Sequence, residues 1–196
     1  MHLTTIWKAG RCLKMNLPNK LTIGRVIAVP VFIVLYLKEL YLAALIVFIL
    51  ASLTDLLDGK IARKYNLVTN FGKIMDPLAD KILVYSAFCL MIGDKTIPAW
   101  MLIVILAREF TIAGMRTVAA AEGIVIAAAM SGKIKTVLQM IAVPLLILML
   151  AVKANPALYQ PVWFAAQIFL WASMIMTVYS GIEYVVKNIQ VFKDRN

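Results

Sequence analysis

Histidine is confined to His2 and cysteine to Cys12 and Cys89, and only ten acidic residues occur in 196. Each scarcity excludes a class of chemistry. Two cysteines so differently placed cannot form the disulfide framework of a small secreted domain, and a single histidine at the extreme N-terminus gives no basis for histidine catalysis. Residues 1–20 lack the continuous apolar core of a cleavable signal peptide. Charged residues make up only 15% of the chain, against 63% hydrophobic, a balance foreign to a soluble globular domain.

What the chain has in abundance is long apolar runs. Six stretches, at residues 22–38, 40–59, 75–93, 97–121, 133–152 and 159–186, approach or exceed the length that crosses a bilayer as a helix, roughly 20 residues for ~30 Å of hydrocarbon. The expected architecture is therefore all-α: a polytopic membrane protein with six transmembrane helices. Residues 1–21 form a juxtamembrane segment, 22–187 the membrane domain and 188–196 a cytoplasmic tail. Ile6, Trp7 and Leu13, set among Lys8, Arg11 and Lys14, suit a short interfacial helix, although a disordered basic extension has the same composition.

The formal net charge is +10, and the cations border apolar spans instead of forming a separate soluble face. That argues against nucleic acid and for anionic lipid or a phosphorylated substrate. Their distribution alternates along the chain. Lys8, Arg11, Lys14, Lys20 and Arg25 precede or open the first span; Lys60, Arg63, Lys64 and Lys73 lie between the second and third; Lys133 and Lys135 open the fifth; Lys187, Lys193 and Arg195 follow the sixth. The remaining loops hold one cation each, Lys38, Lys95 and Lys153, so the positive-inside rule turns both termini and the second connection toward the cytoplasm.

Four of the ten carboxylates fall in that connection and its flanks, as Asp55-x-x-Asp58-Gly59-x-x-Ala62-Arg63 followed by Gly72-x-x-x-Asp76-x-x-x-Asp80. Spacings of three and four place each pair on one face of a helix, and two such helices side by side converge four carboxylates. Such a cluster is costly near a membrane unless a cation offsets it, and a donor set made only of carboxylates favours a hard ion such as Mg²⁺ or Mn²⁺. Gly59 and Gly72 leave room for a ligand or for close helix packing, and Pro77 marks a kink or an early helical turn. Arg63 is suited to hold a phosphate oxygen through its planar fork.

Two further groups carry charge into apolar sequence. Arg108 and Arg116 lie within the fourth span, and Lys133 and Lys135 open the fifth in Ser131-Gly132-Lys133-Ile134-Lys135-Thr136. Together they suit an anion pocket for a phosphate monoester, with Glu109 able to pair one arginine. Upstream, Asn16-Leu17-Pro18-Asn19-Lys20-Leu21-Thr22-Ile23-Gly24-Arg25 reads as a turn feeding a helix capped near Asn19, with Arg25 one turn inside the span, where it could meet a headgroup or nucleotide.

The run Asp-x2-Asp-Gly-x2-Ala-Arg-x8-Gly-x3-Asp-x3-Asp, complete at Asp55, Asp58, Gly59, Ala62, Arg63, Gly72, Asp76 and Asp80, resembles the signature of the CDP-alcohol phosphotransferase family. The Asn16–Arg25 segment, the Arg108–Arg116 stretch and the Ser131–Thr136 segment are similar to its bacterial members that make phosphatidylglycerophosphate. The resemblance implies a homodimer of six-helix subunits in the bacterial inner membrane, with a cytoplasm-facing site for a CDP-alcohol and two divalent ions. By this likeness Asp55, Asp58, Asp76 and Asp80 surround the metals, with Asp80 the general base. Asn19, Thr22, Arg25, Gly59, Ala62, Arg63 and Gly72 would accommodate CDP-diacylglycerol, and Arg108, Arg116, Lys133 and Lys135 would hold sn-glycerol 3-phosphate. Inositol phosphate, which carries the same charged handle, is a rival acceptor. A divalent-cation transporter is a rival of another class, although the aspartates gather near one membrane face and mark no path across.

Overall fold

The computed structural model describes residues 17–64, 70–127 and 129–189, and among these the side chains of 23–54, 78, 79, 81–127 and 129–189. The described residues form six α-helices and no strand: α1 (Leu17–Leu37), α2 (Tyr41–Lys64), α3 (Asn70–Gly93), α4 (Ala99–Ala121), α5 (Met130–Ala151) and α6 (Pro156–Lys187). Each expected apolar stretch falls on one of them. The interfacial helix expected within residues 1–14 lies outside the described residues.

The boundaries differ from the sequence reading in instructive ways. Within the described residues α1 is helical from Leu17, so Pro18 is accommodated inside the helix's described opening and Asn19 is a helical residue instead of the cap. Proline is tolerated there because the first N–H groups of a helix have no intrahelical partner to lose. α2 and α3 run past the apolar stretches into the aspartate segment, and α3 begins at Asn70, placing Pro77 beyond its opening turn.

Three connections close in the same way. Leu40 N–H donates to Leu35 C=O, Thr96 N–H to Met91 C=O and Ile124 N–H to Ala119 C=O, each across a residue with positive φ: Glu39 (58°), Lys95 (58°) and Gly123 (74°). These are Schellman closures, and at Glu39 and Lys95 they hold non-glycine residues left-handed at roughly 1–2 kcal/mol each. α6 is started by Asn155, whose side chain accepts from Ala157 N–H at 3.2 Å, with Pro156 in the first position.

α5 and α6 make the most extensive contact; α1 packs on α2 and α3, α2 on α5, and α4 on α6. The core is apolar and aromatic, with Phe32 and Tyr36 of α1, Phe48 of α2, Phe88 and Met91 of α3, Ile105 of α4 and Leu146 of α5 all buried. Phe32 lies 5.8 Å from Phe48, centroid to centroid, in the tilted arrangement aromatic rings prefer.

The outer surface exposes many large apolar side chains. Along α6 alone Trp163, Phe164, Ile168, Trp171, Ile175, Val178, Ile182 and Val186 are exposed, far more contiguous apolar surface than a monomer in water presents. α5 and α6 are long and apolar enough to cross a membrane, and only 39% and 28% of their most apolar windows are buried inside the protein, so they are not core helices of a soluble fold. Among the described residues α1, α2 and α3 contribute shorter apolar segments, Ile23–Leu37, Tyr41–Thr54 and Lys81–Gly93. α4 is interrupted by Arg108, Glu109 and Arg116.

Candidate active site

Asp55 and Asp58 occupy the final turns of α2, and Asp76 and Asp80 the first half of α3. α2 and α3 touch each other and are joined through residues 65–69. The two pairs thus stand on consecutive, contacting helices at spacings of three and four, the periodicity that keeps each pair on one face. The aspartate side chains, with those of Asn19, Thr22, Gly59, Ala62, Arg63 and Gly72, lie outside the described residues. The backbone places Asn19 and Thr22 on α1, Gly59, Ala62 and Arg63 on α2, and Gly72 on α3. Arg25 is 2% exposed within α1, one of the largest side chains the fold buries completely.

The described part of the site is cationic and centres on Glu109 of α4. Its Oε1 accepts from Lys135 Nζ at 2.6 Å and from Arg108 Nη1 at 2.7 Å, and its Oε2 lies 3.1 Å from Lys81 Nζ. One carboxylate therefore joins α3, α4 and α5. The sequence suggested that Glu109 pairs one arginine; the fold gives it three cations, because Lys81 and Lys135 come from helices that flank α4. Lys81 was not singled out from the sequence, although a lysine directly after Asp80 and ahead of an apolar run was the available signal.

A cleft of about 540 Å³ opens beside this group, lined by Lys81, Arg108, Glu109, Ile112, Ala113, Arg116, Ala129, Gly132, Lys133, Thr136, Val137 and Tyr184. Among the described residues four cations and one carboxylate line it, a positive surplus that an anion would neutralise. The start of α5 adds to that field. Ala129 at its N-cap supplies no side-chain bond, and Ala129, Gly132 and Lys133 line the cleft, so the positive end of the helix adjoins it.

Arg116 reaches the cleft differently from the sequence expectation. It is exposed near the end of α4, not deep within an apolar helix. Its Nε donates to the Tyr184 hydroxyl at 3.0 Å, and its guanidinium carbon lies 5.5 Å from the centre of the Tyr184 ring, so Tyr184 of α6 orients it. The terminal nitrogens have no protein partner among the described residues, which leaves its planar fork for a ligand. Lys133 stands exposed in the first turn of α5. Lys135 is withdrawn behind the cleft at 4% side-chain exposure and is committed to Glu109.

Two glycines shape the path of Arg108. A Cβ on Gly181 of α6 would meet Arg108 Cγ at 3.0 Å, and one on Gly132 of α5 would meet Arg108 Nη2 at 2.9 Å. Both glycines leave room for the Arg108 side chain beside α5 and α6; the contact at Gly181 is with its stem, whereas that at Gly132 is with the movable end of the guanidinium.

A donor set of four aspartates, with no histidine or cysteine beside it in the sequence, fits hard divalent ions, and the cationic cleft suits a phosphate-bearing molecule. A family model described as CDP-alcohol phosphatidyltransferase matches residues 15–179. The chain is 44% identical over 197 residues to the CDP-diacylglycerol–glycerol-3-phosphate 3-phosphatidyltransferase of Bacillus subtilis (strain 168), covering 92% of this chain and 99% of that protein. Proteins of the same description from Rickettsia typhi and Haemophilus influenzae are 40% and 36% identical, over 86% and 88% of this chain and 94% and 93% of theirs.

Proposed function

The chain belongs to the CDP-alcohol phosphatidyltransferase family, and from that premise we propose that it transfers the phosphatidyl group of CDP-diacylglycerol to sn-glycerol 3-phosphate, giving phosphatidylglycerophosphate and CMP. The observation that carries the choice of acceptor is the cleft in which Arg108, Arg116 and Lys133 stand together. A phosphate monoester is the anion for which these groups are arranged, and a phosphate-free acceptor such as serine would leave them without a charge partner.

In this reading Asp55, Asp58, Asp76 and Asp80 hold two divalent cations, Mg²⁺ or Mn²⁺, and Asn19, Thr22, Arg25, Gly59, Ala62, Arg63 and Gly72 surround the CDP headgroup. Bound there, the cations would offset the negative charge of the diphosphate. Arg116 and Lys133 bind the acceptor's phosphate and Arg108 orients it, which turns the glycerol 1-hydroxyl toward α3. That oxygen attacks the β-phosphorus, the bond from phosphorus to the CMP oxygen breaks, and Asp80 takes the hydroxyl proton. An ordinary aspartate, with pKa ~3.9, is a weak base, so proton transfer is concerted with bond formation.

The arrangement in the membrane follows from the same reading. Six helices cross the bilayer as the domain 22–187, with both termini and the site at the cytoplasmic face of the inner membrane, and two copies associate. The lipid enters sideways with its acyl chains still in the bilayer. The test is a screen with purified protein, CDP-diacylglycerol and Mg²⁺ or Mn²⁺, scoring CMP release with glycerol 3-phosphate, inositol phosphate and serine. Release with glycerol 3-phosphate alone is expected; release with serine, or with inositol phosphate in its place, removes the acceptor assignment, and no release with any removes the reaction.

A further inference from the structure

Lys81, Glu109 and Thr136 are walls shared between the cationic cleft and a second, smaller cavity of about 60 Å³. Val84 and Tyr85 of α3 and Lys135, Gln139 and Met140 of α5 complete the smaller cavity. Its polar lining holds one anomaly. Gln139 is only 4% exposed, and its Nε2 has no hydrogen-bond partner among the described residues. A buried amide donor left unpaired costs about 1–3 kcal/mol, so such a group calls for an occupant.

None of the described residues that line the cavity bonds it. Lys81 and Lys135 are donors themselves, Glu109 is already shared among Lys81, Arg108 and Lys135, and the Thr136 hydroxyl donates to Gly132 C=O without meeting the amide. The cavity, at about 60 Å³, is far smaller than the cleft of about 540 Å³, which suits the cleft to a phosphate and the cavity to a smaller polar group. It also lies against α3 just beyond Asp80, with Lys81, Val84 and Tyr85 as its wall. An alcohol oxygen attached to a molecule whose phosphate occupies the larger cleft meets all of these conditions.

We propose that the small cavity receives the secondary hydroxyl of the acceptor and that Gln139 is the residue that recognises it, an inference that rests on glycerol 3-phosphate being the acceptor. The phosphate sits in the larger cleft, the primary hydroxyl faces Asp80, and the hydroxyl between them accepts from Gln139 Nε2. A site built around a buried donor rejects a molecule that lacks the matching oxygen, because the donor is then left unpaired. Gln139 thereby sets acceptor specificity.

The experiment compares glycerol 3-phosphate with 3-hydroxypropyl phosphate, which lacks only the secondary hydroxyl, in the wild-type protein and in Gln139→Leu and Gln139→Met. The wild type should prefer glycerol 3-phosphate in kcat/KM by on the order of tenfold or more. Both variants should bring that ratio to about one, by losing rate with glycerol 3-phosphate while the rate with the analogue holds. Because the ratio is taken within each protein, a general loss of folded enzyme cancels. A wild type with no preference, or variants that retain the preference because both rates fall together, overturns the role of Gln139. A wild type that uses neither compound overturns the acceptor reading itself, and that failure is visible before any variant is made.

Discussion

Lys135 Nζ lies 2.6 Å from Glu109 Oε1, with the two side chains 4% and 12% exposed, and this pair ties the opening of α5 to the middle of α4. Arg108 and Lys81 meet the same carboxylate, so among the described residues Glu109 is the one counter-ion lining a cleft rich in cations. Removing the hub and removing one spoke should differ in consequence.

Glu109→Gln leaves the buried Lys135 ammonium and the Arg108 guanidinium without an anion, a loss on the order of 3–5 kcal/mol for a broken buried pair. Lys135→Met removes a buried charge while Glu109 keeps Arg108 and Lys81, and should cost clearly less. Thermal unfolding of the purified proteins in one detergent checks the order. A Lys135→Met protein that melts as low as Glu109→Gln would show that the carboxylate is not the organising group.

Gly181→Ala places a methyl group 3.0 Å from Arg108 Cγ, inside the usual contact distance, and so forces the arginine stem to shift. A displacement of this kind should raise the KM for glycerol 3-phosphate about tenfold, an effect of roughly 1.4 kcal/mol, and leave the KM for CDP-diacylglycerol within about twofold. Gly93→Ala serves as the control, since a Cβ there meets nothing within 4 Å. Steady-state kinetics with each substrate varied in turn reads both; equal kinetics for the Gly181 and Gly93 variants would contradict the contact.

Asp80→Asn keeps the size and polarity of the side chain but removes its capacity to accept a proton. Turnover should fall by about 10²-fold or more, as general-base losses do, while CDP-diacylglycerol binding persists. Binding is measured with labelled lipid in the presence of Mg²⁺. Full activity would remove Asp80 from proton transfer.

Chelation tests the aspartates as a set. Excess EDTA should abolish CMP release, and either Mg²⁺ or Mn²⁺ should restore it, with Zn²⁺ a poor substitute because the donors are hard oxygens. Undiminished turnover in EDTA, after dialysis to remove bound ions, would contradict the assignment.

Much of this was legible in the sequence, for reasons that can be named. Helical periodicity is local, so the pairing of Asp55 with Asp58 and of Asp76 with Asp80 could be read directly, and apolar run length gave six helices whose ends moved by a few residues. Asn19 proved helical instead of capping because Pro18 is as compatible with an early helical turn as with a break. Arg108, Arg116 and Lys133 could be grouped by their charge in apolar surroundings. Their partners could not. Lys81, Tyr184, Gly132 and Gly181 acquire meaning only when α3, α5 and α6 are folded against α4, and nothing local in the sequence encodes that a glycine on α6 faces the stem of an arginine on α4. Likewise, the spacing of Lys133 and Lys135 gave no sign that the first would line the cleft and the second retreat behind it to Glu109.

The central claim is a division of labour, with the cationic cleft holding the acceptor's phosphate and the aspartate-bearing ends of α2 and α3 handling the lipid. Two-substrate kinetics of Arg116→Ala tests it most directly, because Arg116 is exposed, is oriented by Tyr184 alone among the described residues, and can be removed without breaking an ion pair seen among them. The account predicts a KM for glycerol 3-phosphate raised roughly 10- to 100-fold, as loss of a charge-assisted contact worth about 1.5–3 kcal/mol requires, with the KM for CDP-diacylglycerol unchanged. Equal rises in both constants, or a rise for the lipid alone, would contradict it.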